Sequence, residues 1–182
     1  MKGTKLAIGC LGVFLVAILA WHSYTRLLRN PPFSMDAVAL PVELFPADVI
    51  YNQMARISEG MPGVQSSDQS IYWSGGKGLA VYLVHRFLTK RGVDKWFQRS
   101  VNSRVNDGFD SHRLSRIPAA DRYFTGCGNS EFGGFRCVYI ATYDGYLVFL
   151  NVVIDDKMPI DQFEQIVFAV DERFVAAFRS AD

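Results

Sequence analysis

The chain has 182 residues, 19 Lys and Arg against 18 Asp and Glu for a formal net charge of +1, and 14% aromatic residues. That length is one ordinary domain plus a segment, and the aromatic share excludes a disordered polymer. Residues 1–29 hold Lys2, Lys5, Arg26 and Arg29 and no acid, which leaves 15 basic against 18 acidic residues in a body without the Lys/Arg cluster that nucleic-acid binding requires.

The N-terminus, MKGTKLAIGCLGVFLVAILAWHSYTRLL, follows a short basic tail with an apolar run from Leu6 to Trp21. Signal peptidase wants small residues at −1 and −3, and a cut after Ala20 or after Ser23 places Ile18 or Trp21 at −3. Only Leu6 to Gly9 precede Cys10, too short a core for a lipoprotein signal. The expectation is an uncleaved membrane anchor over residues 1–29, with a helix at about 5–27 that fits the roughly 30 Å hydrocarbon core and with Trp21, His22 and Tyr24 at the exit interface. The short basic tail puts the N-terminus in the cytoplasm and the body outside, on a cell or inner membrane. Gly9, Gly12, Val16 and Ala20 make a narrow small-residue face on which another helix of a membrane complex packs.

Residues 30–48 carry four prolines and read as an extended connector, followed by an extracytoplasmic α+β domain over 49–182. Asp48 to Ile57 fits either a strand or a short helix, with the strand favoured because Gly60 to Ser70 is turn-rich. Gln69 to Phe87 gives two β-rich runs around a glycine-rich turn at Ser74 to Gly78. In KRGVDKWFQRSV, Val93, Trp96, Phe97 and Val101 share one helical face. A polar stretch around NDGFDSHRLSRIPAADR follows. Gly134 to Tyr143 and Tyr146 to Ile154 then meet at Asp144-Gly145, a strong hairpin signal. Pro159 opens a final helix with Asp161 and Glu164 in its first turn and an apolar face of Phe163, Ile166, Val167, Val170, Phe174 and Phe178. Hairpin then helix, twice over, predicts an antiparallel sheet with helices on one face and two related halves.

With the body in an oxidising space, Cys127 and Cys137 are expected to form a disulfide across a glycine-rich loop. Zinc would want a tighter cysteine pair and nearby histidines, and a redox pair would read C-x-x-C. SGGKG lacks the spacing of a phosphate-binding loop and reads as a hairpin turn. His112 lies near Asp110 and Ser111, but neighbours in sequence do not make a catalytic triad, and His85 reads as a strand histidine. No catalytic, metal or cofactor-binding residues are assigned, and no cofactor is expected. The leading reading is a non-enzymatic, single-pass accessory or assembly subunit of a membrane protein complex. The alternative is a tethered ligand-binding or sensor domain whose pocket is lined by Tyr72, Trp73, Tyr82, Tyr139, Tyr143 and Tyr146. A hydrolase using His112 or His85 ranks behind both.

Overall fold

The computed structural model describes residues 33–57, 65–131 and 133–181. The expected anchor, with Gly9, Gly12, Val16, Ala20, Trp21, His22 and Tyr24, lies outside them. Among the described residues no helix is long and apolar enough to cross a membrane.

Strands β1 (Tyr51–Ile57), β2 (Gln65–Trp73) and β3 (Gly78–Arg86) run into helix α1 (Lys90–Asn106). The two-residue β4 (Asp110–Ser111), then β5 (Arg122–Asn129), β6 (Phe135–Tyr143) and β7 (Tyr146–Val153), lead to helix α2 (Ile160–Arg179). The strands form one sheet in the order β1-β2-β3-β7-β6-β5-β4, with every neighbouring pair antiparallel, so the domain is α+β.

Local chemistry sets the element ends. Asp144 (φ 35°) and Gly145 (φ 91°) both take the left-handed backbone that a two-residue hairpin turn demands. Thr89 caps α1 by accepting a hydrogen bond on Oγ1 from the Gly92 amide at 3.0 Å. Pro159 leads into α2, where its missing N–H costs no helical bond, and Asp161 sits in the first turn.

Successive strand side chains point to opposite faces, and β6 separates the two cores. Cys137, Tyr139, Ala141 and Tyr143 belong to the main cluster, with Phe163, Ile166, Val167, Val170 and Phe174 of α2. Ile140, between Tyr139 and Ala141, belongs to a second cluster with Leu147, Phe87 and, from α1, Val93 and Phe97. The two helices therefore lie on opposite faces, and the expectation of helices on one face is corrected. Periodicity shows that a helix has an apolar side but not which sheet face receives it. The strands do repeat, β1-β2-β3 and β5-β6-β7 being two three-stranded meanders joined along β3 and β7, but their helices go to different faces.

Residues 33–49 do more than connect. Val38, Leu40 and Phe45 are buried in the main cluster beside Ile71, Trp73 and Tyr82. Gln69 clamps the backbone of Leu40 in both directions, accepting from its amide at 2.9 Å and donating to its carbonyl at 2.7 Å. Tyr82 Oη donates to the Val38 carbonyl at 3.0 Å. The face that carries α2, called here the first face, is thus completed by this segment.

Candidate functional site

The second face is covered unequally. Helix α1 packs on β5, β6 and β7. Over β2 and β3, among the described residues, the second face has no helix of its own. There, Ser66, Asp68, Ser70 and Tyr72 of β2 alternate with the buried Ser67, Gln69, Ile71 and Trp73 of the first face. In β3, Leu79, Val81, Leu83 and His85 are only partly covered, while Ala80, Tyr82, Val84 and Arg86 between them are buried. The result is a polar row on β2 beside an apolar row on β3. Such a two-tone surface suits a partner with its own apolar ridge and polar edge.

Polar contacts stiffen one end of this surface. Ser66 and His85 face each other across the strands, with Ser66 Oγ and His85 Nδ1 2.7 Å apart. Burial lowers the His85 pKa against the opposing pull of Asp68, so the ring is neutral at neutral pH. Ser70 Oγ donates to Asp68 Oδ1 at 3.3 Å. Asn151 of β7, directly opposite Val81, adds a side-chain oxygen that is buried without a hydrogen-bond partner among the described residues.

A serine beside a neutral histidine resembles half of a hydrolytic apparatus, and the surroundings do not complete it. Strand β2 is paired on both sides, so its amides are committed to the ladder and are not free to hold an oxyanion. His112 is equally committed elsewhere. Its Nε2 stands 2.9 Å from Glu164 Oε1 of α2, and Glu164 Oε2 accepts from the Ser115 amide at 3.1 Å and from Ser115 Oγ at 2.6 Å. The Ser115 hydroxyl is therefore turned to the glutamate and not to the imidazole. Burial pushes the Glu164 pKa up, but the hydrogen bonds from Ser115 and His112 outweigh it and hold the carboxyl below its ordinary value.

Residues 112–121 act as a latch over α2. Besides the contacts to Glu164, the Ala119 amide donates to Asp171 Oδ1 at 2.8 Å. Arg116 reaches Glu172 at 2.6 Å and lays its guanidinium 4.2 Å above the Phe168 ring.

The aromatic residues expected to line a pocket are mostly core. Trp73, Tyr82, Tyr139, Tyr143 and Tyr146 are buried, and Tyr72 alone of the six is partly exposed. Phe174 stacks on Tyr143 with centroids 4.3 Å apart, Phe33 stacks on Tyr146 at 5.1 Å, and Phe45 tilts against Trp73 at 6.3 Å. A cavity of about 380 Å³ lies elsewhere, at the start of α1 and the β6–β7 turn, with a charged rim of Lys90, Asp94, Asp121, Arg122 and Asp144.

Cys127 and Cys137 form the expected disulfide, joining directly paired positions of β5 and β6. Among the described residues no group of three or more His, Cys, Asp or Glu side chains is placed to hold a metal ion. Sequence reasoning passed over Ser66, Asp68 and Asn151. The first two sit in SSDQS, where both faces of the strand are polar and the alternation that betrays a strand is missing. Searches of family models, of curated proteins and of solved structures find nothing that matches this chain.

Proposed function

We propose that this chain is a single-pass, membrane-anchored accessory or assembly subunit whose α+β body stands on the extracytoplasmic side and binds a partner through the open half of the second face. The observation that carries this reading is the contrast between the two faces. The first is completed by α2 and residues 33–49, while the β2–β3 half of the second presents Leu79, Val81 and Leu83 beside Ser66, Asp68 and Ser70. The cross-strand disulfide supports an oxidising compartment, where such bonds persist. The apolar run from Leu6 to Trp21 supports the anchor.

The test is to tag the C-terminus, solubilise native membranes in mild detergent and identify what co-migrates with the chain. A complex of fixed stoichiometry is expected, and Leu83→Asp on the open face should release the chain from it while leaving the chain in the membrane fraction. Migration of the unaltered chain alone in detergent would overturn the subunit reading. The tethered binding domain is then the second reading, and the charged-rim cavity at Lys90 and Arg122 favours a small polar ligand over an apolar one.

A further inference from the structure

The position of Phe33 fixes which end of the body is nearest the expected anchor. Its ring stacks on Tyr146 and meets Phe174 and Phe178 edge-on at 6.0 and 5.1 Å. Tyr146 opens β7 and is paired with Arg86, the last residue of β3. The Phe87 amide donates to the Gly145 carbonyl at 2.9 Å, which holds the β3–α1 junction at the same end of the sheet. With the expected helix ending near residue 27, only residues 28–32 separate it from Phe33. At ~3.3–3.6 Å per residue they reach at most about 18 Å. Because residues 33–49 are packed into the body, they add nothing to that reach.

The surface at this end carries one exposed apolar side chain and a basic pair. Leu88 is 47% exposed, and Lys90 and Arg91 follow it at the first two positions of α1 with no acid in that turn. The helix dipole disfavours cations there, and neither residue joins an ion pair among the described residues, whereas Arg104, Arg116 and Arg122 are all paired. On the other side of the sheet, Ile117 is 84% exposed in the 112–121 latch, between Arg116, which reaches Glu172, and Ala119, whose amide reaches Asp171, beside the middle of α2. That latch ends at Asp121, which accepts from the Asp144 amide of the same hairpin turn. Lys90 also lines the charged cavity with Asp94, Asp121 and Asp144, while Lys90 and Arg91 are both exposed, within reach of a charged surface outside the fold.

We propose that the end of the body bearing Leu88, Lys90 and Arg91 rests on the bilayer, the Leu88 side chain entering the headgroup region and the basic pair meeting anionic lipid phosphates. This rests on the membrane-anchored reading above. The chemistry is that of peripheral membrane contact, in which modest apolar burial and charge attraction add to a tether that supplies high local concentration. The opposite end also carries exposed apolar side chains, Ile50 at 64% and Phe135, the first residue of β6, at 40%, and would stay in water because the tether holds the other end to the membrane.

The test uses the full chain, with Cys10 replaced by Ala, in vesicles of phosphatidylcholine with or without phosphatidylglycerol. An environment-sensitive fluorophore is placed through Leu88→Cys, or through Phe135→Cys as the distal control, and quenched by spin-labelled lipids. Quenching at 88 several-fold stronger than at 135, increased by phosphatidylglycerol and lost in Lys90→Glu with Arg91→Glu, is expected. Equal quenching at the two positions, with the chain resisting alkaline extraction, would overturn the resting face and leave the anchor standing. Quenching at 88 indifferent to phosphatidylglycerol and to the charge reversal would overturn the part played by the basic pair. Loss of the chain from the vesicles at alkaline pH would overturn the anchor and the resting face together.

Discussion

Tyr143 Oη donates to Asp171 Oδ1 at 3.0 Å inside the main core, and the same oxygen receives the Ala119 amide at 2.8 Å. Since the Tyr143 proton is committed to Asp171, the 2.8 Å contact between the Tyr139 and Tyr143 hydroxyls is donated by Tyr139. One carboxyl thus joins the sheet, α2 and the latch. Tyr143→Phe should cost about 1–2 kcal/mol, and Asp171→Ala about 2–4 kcal/mol because it strands a buried hydroxyl and an amide. Urea unfolding followed by tryptophan fluorescence measures both.

The same tyrosines set an alkaline limit. Burial, with Tyr139 and Asp171 adding to it, raises the Tyr143 pKa well above its ordinary value, and burial does the same at Tyr139. With the folded value above the unfolded one, this contribution is complete below about pH 10, where free tyrosine titrates, and is lost as pH rises beyond it. Stability measured against pH should fall on that side, and less steeply in Tyr143→Phe.

Glu164 sets the corresponding acid dependence, with the opposite sign. Its folded pKa lies below the unfolded one, so its contribution is present above about pH 4.3 and fades as pH falls through the lower folded value. Glu164→Gln should cost about 1 kcal/mol at neutral pH and remove that part of the acid loss. Hydrogen exchange at the Ser115 amide, which donates to Glu164, should quicken several-fold while the central strands stay protected.

The disulfide closes a short loop, its cysteines ten positions apart in sequence. Reduction, or Cys127→Ala with Cys137→Ala, should cost about 2–3 kcal/mol by the loop-closure relation and leave the sheet order intact. Chemical denaturation with and without reductant gives the difference, and far-ultraviolet circular dichroism checks the fold.

Much of the fold was legible. The Asp144-Gly145 turn, the turn at Ser74–Gly78 and the apolar faces of both helices each rest on a short-range rule, and each element is found where the rule puts it. Strand β5 escaped notice because RYFTGCGN carries glycines where a strand normally shows side chains. Packing gives the reason: a Cβ on Gly128 would sit 2.8 Å from the Gly108 carbonyl oxygen, and one on Gly126 would press on Phe124 and the Asp110 backbone. The prolines of residues 30–48 read as a spacer because sequence shows where a chain is stiff and not what it lies against. For the same reason the open second face was invisible, being defined by which surface α1 leaves uncovered.

Strand β7 lies in the middle of the sheet, yet among the described strands it is the last in sequence. Its pairing with β3 joins residue 80 to residue 152, so the two meanders remain separate until β7 has been made. Contacts that distant in sequence slow folding and make it cooperative. The body should therefore gain its native structure only after β7 has been made, in one step, and a chain cut short before β7 should leave two unpaired sheet edges for chaperones or proteases to meet.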